Sequence, residues 1–263
     1  MIIMGKMSLK QINQNIFIIR QLAKRDRQHN NASSILGQFW QIINPFINMI
    51  VMVLIFTEMF GNNSIGNFQI YVLIGTIMYS YFNEGTQGCL VALSGNKAFL
   101  IKSSMEKNIY PIEKVYVAFI NFLFSSLIFI CVAQWYGIEF MATAFLVIPN
   151  VFLFTLMILG IGKILAIINA SFADITYFYK IFTLLILYSS ALFYDTSRMA
   201  PNVQKLISLN PVYLSIAIVR QSVMDGIIPK WTMWIKLLVY AIGLYGVGTY
   251  IYQKKVQTVI EKI

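Results

Sequence analysis

The sequence predicts an all-α polytopic membrane protein. Six transmembrane helices are expected, with an N-terminal amphipathic interface helix before them and re-entrant short helices between spans five and six. Three observations carry this reading. Hydrophobic residues make up 58% of the 263 residues and charged residues only 11%, whereas a soluble domain carries about 25% charged residues. The apolar excess falls in blocks, and a span needs roughly 20 residues at 1.5 Å rise to cross about 30 Å of hydrocarbon. The basic residues gather between blocks, on one side of the inferred membrane. Residues 1–263 therefore read as a single transmembrane domain.

Met1 to Met7 carry no long apolar run before a small-residue cleavage site, so no signal peptide is expected. Between residues 8 and 28, Leu9, Ile12, Ile16, Ile19 and Leu22 follow helical spacing, with Lys10, Arg20, Lys24 and Arg25 among them. The apolar stretch Ile16 to Ile19 is too short to span. A basic amphipathic helix on the cytoplasmic surface fits this pattern. Packing on a soluble element is the alternative, but no soluble domain follows to receive it.

The first span runs from about Gln41 to Phe60 and the second from about Gln69 to Leu93, joined by a short uncharged turn. Residues 94–114 form a polar loop holding Lys97, Lys102, Lys107 and Lys114. The third span covers Val115 to Ala133 and the fourth Met141 to Asn169. A tight turn, Ala170 to Asp174, leads into the fifth, Ile175 to Tyr194. Residues 195–232 are broken by polar residues and by Pro201, Pro211 and Pro229. Two short helices separated by Asn210-Pro211 are expected there, entering the membrane partway and returning. Irregular backbone at that depth is tolerated only where protein or a water-filled cavity covers it. The last span is about Met233 to Tyr252, followed by a basic tail.

With both termini placed inside, fifteen of the twenty lysines and arginines lie on the cytoplasmic side, and the two short outer loops carry none. The net charge of +10 is thus a membrane-orientation signal, not a nucleic-acid patch. His29 is the only histidine, which excludes a histidine-based metal centre or a Ser-His-Asp triad. Cys89 and Cys131 both sit in apolar blocks and make no disulfide framework. Glu106, Glu113 and Asp174 are scattered without a partner histidine, which argues against an intramembrane transferase.

Within the spans the notable ionisable residue is Glu84, in the run Asn83-Glu84-Gly85-Thr86-Gln87. A charge at mid-membrane costs on the order of 2.5–3.5 kcal/mol, so it faces a cavity or a partner. It reads either as the lining of a translocation path or as a carboxyl bonded to a neighbouring helix. Aromatic residues reach 15%. They read either as the interfacial belt or as rings against which the C–H faces of sugars stack. The lining set under the second reading is Tyr79, Tyr81, Phe82, Glu84, Tyr177, Tyr188, Phe193 and Tyr194. Gly160-Ile161-Gly162-Lys163 lacks the phosphate-loop spacing G-x-x-x-x-G-K-[ST] and lies in an apolar helix, so a driving ATPase would be another chain.

Several motifs, in order, are similar to one family. They are Arg25-Asp26, Ser34-Ile35-Leu36-Gly37, Trp40 and Pro45; Leu100-Ile101-Lys102 through Tyr110-Pro111-Ile112-Glu113; Phe172-Ala173-Asp174; and Asn210-Pro211 with Arg220. Together they resemble the permease subunit of polysaccharide-exporting ABC transporters of the ABC-2 type, the exporters of O-antigen, teichoic acid and some capsules. The chain departs from the family pattern at Asn30-Asn31, at Ala173 and at Ala217. The resemblance implies a homodimeric channel in the bacterial cytoplasmic membrane, two ATPase partners holding ATP and Mg, and no cofactor on this chain. It implies that Lys24, Arg25 and Arg27 meet the pyrophosphate of a polyprenyl-linked glycan, or else ordinary anionic lipid. Lys102, Met105, Glu106, Tyr110, Pro111, Glu113, Phe172 and Asp174 would couple to the ATPase. Asn210, Pro211 and Arg220 would form the outer gate. A permease of the same type for a smaller lipophilic cargo, such as a drug, lipid or peptide, is the alternative.

Overall fold

A computed structural model describes residues 9–31, 67–96, 100, 105–196 and 199–261, with scattered positions between 43 and 55. Eight helices account for nearly all of it: α1 (Leu9–Asn31), α2 (Phe68–Leu90), α3 (Ile109–Trp135), α4 (Val147–Ser171), α5 (Ile175–Ser189), α6 (Pro201–Ile207), α7 (Pro211–Val223) and α8 (Trp231–Ile260). Single 3-10 turns lie at Ser94–Asn96 and Ala142–Leu146. No strand occurs among the described residues.

Among the described residues, three helical stretches are long and apolar enough to cross a membrane: Ile109–Trp135, Ala142–Ser171 and Trp231–Ile260. The bent pair α6–α7 would make a fourth if it counts as one span. The 23 residues of α2 reach about 34 Å, but the polar run around Glu84 interrupts its apolar character. The apolar helix α5 has only 15 residues. The chain is therefore a multi-pass helical membrane protein. Most of the first predicted span, 41–60, lies outside the described residues.

Why these residues pack as they do is clearest in the middle of the bundle. One face of α2 is apolar and small, and it fits between α3 and α4. The Tyr81 ring packs tilted against Phe122 at 4.9 Å between centroids and edge-on against Phe154 at 6.0 Å. Its hydroxyl is satisfied by Thr155 Oγ1 at 2.7 Å. Helices α4 and α8 cross where both present glycine. A Cβ at Gly248 would fall 2.2 Å from the Gly160 carbonyl oxygen, and one at Gly160 would strike the Leu244–Tyr245 backbone. Small residues that let backbones touch replace the missing hydrophobic drive between helices in lipid.

At one end of the bundle a second cluster joins α1 to the rest. Leu22 packs with Leu93, Tyr110, Ile167, Tyr252 and Val256, and Ile18 and Ile19 flank it. Ile16 and Phe17 face outward, so the bundle leaves part of the apolar surface of α1 uncovered. At the other end, α6 and α7 meet at 98° around Leu209-Asn210. Proline at the first position of each helix fixes φ and gives up an N–H that the helix start leaves unpaired anyway. Asn210 caps α7 by accepting from the Val212 amide at 2.9 Å.

Candidate functional site

The residues that can carry function fall into three groups along the bundle axis. The first is a charge cluster where α1 meets α3. Asp26 accepts from Arg25 Nη2 at 2.7 Å and is ion-paired with Lys114. Arg25 also donates to Asn96 Oδ1 at 2.8 Å, and Asn96 is fixed by donating to the Ala92 carbonyl at 2.9 Å. Burial alone would raise the Asp26 carboxyl, but Lys114 and Arg25 outweigh it and hold it below its ordinary value. The cluster ties three elements: the amphipathic helix, the turn after α2, and the start of α3. Beside it, Lys114 lies 3.4 Å from Glu113 Oε2. Glu113 is buried, and neither of its oxygens finds a hydrogen-bond donor among the described residues.

The second group is a polar seam at mid-bundle. Asn121 of α3 donates to Glu84 Oε2 at 2.9 Å. Gln87 donates to Asn83 at 2.8 Å along α2. Tyr79, one turn earlier, donates to the Thr183 carbonyl of α5 at 2.8 Å. Glu84 stays on the bundle surface, while Asn121 is buried. The carboxylate therefore combines one fixed donor with an open side. Next to the seam, α5 turns an aromatic face outward: Tyr177, Phe178, Phe182 and Tyr188 are all more than half exposed.

The third group is a clamp at the end opposite α1. Arg220 of α7 is buried, and among the described residues no carboxylate is its hydrogen-bond partner. Its guanidinium donates to three backbone carbonyls: Tyr71 at 2.9 Å, Ala191 at 2.8 Å and Leu192 at 3.2 Å. It lies 3.3 Å from the centroid of the Tyr71 ring, and the Tyr71 hydroxyl donates to the Tyr194 carbonyl at 2.8 Å. The Ala191 and Leu192 carbonyls are open to it because α5 ends at Ser189 and the chain turns through Ala191 at φ +49°. Gly75 makes room for the clamp, since a Cβ there would fall 2.7 Å from Arg220 Nη2. Asn210 adds a second tie, donating to Ser189 and Ser190 at 3.0 and 2.9 Å.

Placement revises several sequence expectations. Tyr81 and Phe82 are each 1% exposed; they are core residues and present no ring to a passage. Phe193 is also buried. Of the residues expected to line a passage, Glu84, Tyr177 and Tyr188 are exposed and Tyr79 and Tyr194 half-buried. Tyr110, Pro111 and Glu113, expected to couple to the ATPase, face the bundle interior. Glu106, Phe172 and Asp174 are exposed and Met105 partly so. Lys102 and the side chain of Arg27 lie outside the described residues. Lys24 is exposed. Arg25, expected to meet a pyrophosphate, donates to Asp26 and Asn96. Pro211 and Asn210 stand at the bend, as expected from their sequence.

Sequence reasoning missed Lys114 as the partner of Asp26, Asn121 as the partner of Glu84, and the Tyr71–Gly75–Arg220 clamp. Asn121 was findable, as a lone amide in an apolar block. The clamp was not, because its acceptors are backbone atoms and leave no residue-type signature.

Comparison with known proteins is in keeping with this geometry. The family described as "ABC-2 type transporter" matches residues 18–224. The O-antigen export system permease protein RfbA of Myxococcus xanthus is 25% identical over 198 residues, covering 74% of this chain and 75% of that protein. Two proteins of the same name from Klebsiella pneumoniae are each 21% identical. They align over 208 and 206 residues and cover 79% and 78% of this chain, and 80% and 79% of their own lengths.

Proposed function

This chain belongs to the ABC-2 type transporter family, and from that premise we propose that it is the permease subunit of an ATP-driven exporter of lipid-linked polysaccharide. The observation that carries the cargo is the set of relatives, each named as an O-antigen export permease and each aligned over about three quarters of its length. The structure supports the arrangement in one respect. The centre of the bundle is filled by Tyr81, Phe82, Phe154 and Met157, all below 2% exposed. A passage wide enough for a glycan therefore forms between two copies, not through one.

In this reading the α1 end lies in the cytoplasm, with both termini, and the membrane is the bacterial inner membrane. Two ATPase subunits bind there, hold ATP and Mg, and press on the surface around Glu106, Phe172 and Asp174. Lys24, with Arg27, attracts the anionic head of the polyprenyl-linked glycan, while Arg25 and Asp26 hold α1 to the body. Motion of α1 and α3 passes along α2 to the polar seam and to α5. Glu84, Tyr177 and Tyr188 face the sliding glycan. The pair α6–α7 acts as the outer gate, hinged at Asn210-Pro211 and held by Arg220.

The test is depletion of the chain in its host, followed by location of the lipid-linked polymer. Finished polymer accumulating inside and missing from the surface is the expected result. Polymer reaching the surface normally would overturn the polysaccharide reading and turn attention to a smaller lipophilic cargo. Absence of polymer on both sides would overturn it in favour of a biosynthetic role.

A further inference from the structure

At the end of the bundle opposite α1, an apolar cavity of about 400 Å³ opens between α2, α3, α7 and the 3-10 turn before α4. We propose that it is a binding site for one acyl chain of a bilayer phospholipid from the leaflet at that end. Four observations point to hydrocarbon and to that source.

The first is chemistry. The walls are Ile77, Met78, Phe122, Phe129, Val219 and other apolar side chains, with Ser126 as the one hydroxyl. Ser126 already donates to the Phe122 carbonyl at 2.8 Å, so the cavity offers water no unsatisfied donor. Engineered apolar cavities of about 150 Å³ stay dry and take up hydrocarbon, and this one is larger.

The second is depth. From Phe122 to Ile130 the lining on α3 runs about 12 Å, within the roughly 15 Å of one leaflet's hydrocarbon. Exposed Trp135 and Tyr136 stand just beyond, where amphipathic rings mark the headgroup level.

The third is the direction of opening. The roof is closed where the turn after α7 passes over Met141. Gly226 stands at φ +64°, and a Cβ there would strike the Met141 side chain. The mouth lies beside Phe140, Phe145 and Ile148, all exposed, and so faces the surrounding lipid.

The fourth is place in the fold. Val219 and Val223 reach the cavity from α7, on either side of the clamp residue Arg220. A chain seated there fills the space between α7 and α3 and supports the bent pair from the lipid side.

The experiment uses the full-length chain in nanodiscs containing phosphatidylethanolamine that carries a diazirine near the middle of one acyl chain. After irradiation, adducts are mapped by mass spectrometry. Met78 is 2% exposed and out of reach of lipid that merely bathes the bundle. Labelling at Met78 and Ser126 is therefore the expected result, with loss of both adducts in Ala144→Phe and unchanged labelling at exposed Ile242. Ser126→Leu fills the cavity from the opposite wall and serves if the first variant fails to fold. Labels confined to exposed positions such as Ile235 and Ile242 would overturn the proposal. So would labelling of Met78 by a diazirine polyprenyl phosphate but not by the phospholipid probe. A Phe145→Cys disulfide joining two copies, with Met78 unlabelled, would assign the mouth to a second copy and equally overturn it.

Discussion

Replacing Arg220 by alanine should unfasten the end of the bundle opposite α1. Its guanidinium is buried and donates to the carbonyls of Tyr71, Ala191 and Leu192. A net hydrogen bond from a charged donor contributes about 1.5–3 kcal/mol, and a buried acceptor left without a donor costs about 1–3 kcal/mol. These terms overlap and do not sum. Losing the charged donor from three carbonyls at once is therefore expected to cost about 3 kcal/mol. For a chain of this size it lowers Tm by at least about 6 °C. The assay is thermal unfolding of the purified chain in mild detergent, read by fluorescence-detected gel filtration. Gly75 supplies an internal check. A methyl at Gly75 pushes directly on Arg220 Nη2 and on Leu192, so Gly75→Ala should destabilise the wild type and cost much less in the Arg220→Ala background. A Tm within a degree of wild type for Arg220→Ala, or simple additivity of the two substitutions, would refute the clamp.

Three further predictions concern the rest of the bundle. Gly248→Ala should cost about 3 kcal/mol, at the top of the overpacking range, because its methyl meets backbone that cannot rotate away. Gly243→Ala and Gly246→Ala, with nothing near the new methyl, should be neutral or stabilise by about 1 kcal/mol; thermal unfolding separates the two classes. The Asp26 carboxyl lies below its ordinary value of 3.8, so its attachment of α1 is fully present above pH 3.8 and is lost as pH falls through the lowered value. Limited proteolysis within α1 should therefore be unchanged from neutral pH to about pH 5 and rise sharply below pH 3.8, whereas Asp26→Asn should show the rise already at neutral pH. Glu84→Gln keeps an acceptor for Asn121 and should retain export, while Glu84→Leu should reduce surface polymer with the complex still assembled, as read by surface glycan staining and co-purification.

What was legible in the sequence was whatever depends on residue type and period. The helix α1, the spans near 115–133, 141–169 and 233–252, and the break at Asn210-Pro211 each leave a local mark: a 3.6-residue period, an unbroken apolar run, or a proline. The structure extends those runs to Ile109–Trp135, Ala142–Ser171 and Trp231–Ile260, because helices continue past the hydrocarbon edge. Burial within a span was not legible. Tyr79, Tyr81 and Tyr188 look alike as aromatic residues in apolar blocks. One is tied to a carbonyl of α5, one is sealed among Phe122 and Phe154, and one is 60% exposed. Their difference lies in which turn of helix meets a neighbour, and that depends on close approaches such as Gly85 against Ile158. Nor did the polar stretch 94–114 reveal that Tyr110 and Glu113 turn inward, since an amphipathic helix start and an exposed loop share the same composition.

The distribution of fastenings bears on which element can move. Helices α4 and α8 touch backbone to backbone at Gly160 and Gly248, and Lys163 adds a bond to Thr249 at 3.0 Å. That pair cannot slide without separating, so it serves as the frame. Helix α5 is attached differently. Among the described residues, the side-chain hydrogen bonds that tie it to the rest of the chain are Thr176 to Asn169 at one end, Tyr79 to the Thr183 carbonyl midway, and Tyr194 to the Tyr188 carbonyl and Asn210 to Ser189 at the other. Only Tyr179 and Thr183 of its fifteen residues are buried. A helix with so little buried surface shifts at low cost, and its two ends lie beside the exposed Phe172-Asp174 turn and the Arg220 clamp. In an exporter of the proposed kind, force applied at the turn would therefore move α5 before it moved α4 or α8. Cross-linking α5 to α2 by Thr183→Cys with Tyr79→Cys should then abolish export while ATP hydrolysis by the assembled complex persists. Unimpaired export by the cross-linked protein would mean that α5 belongs to the frame.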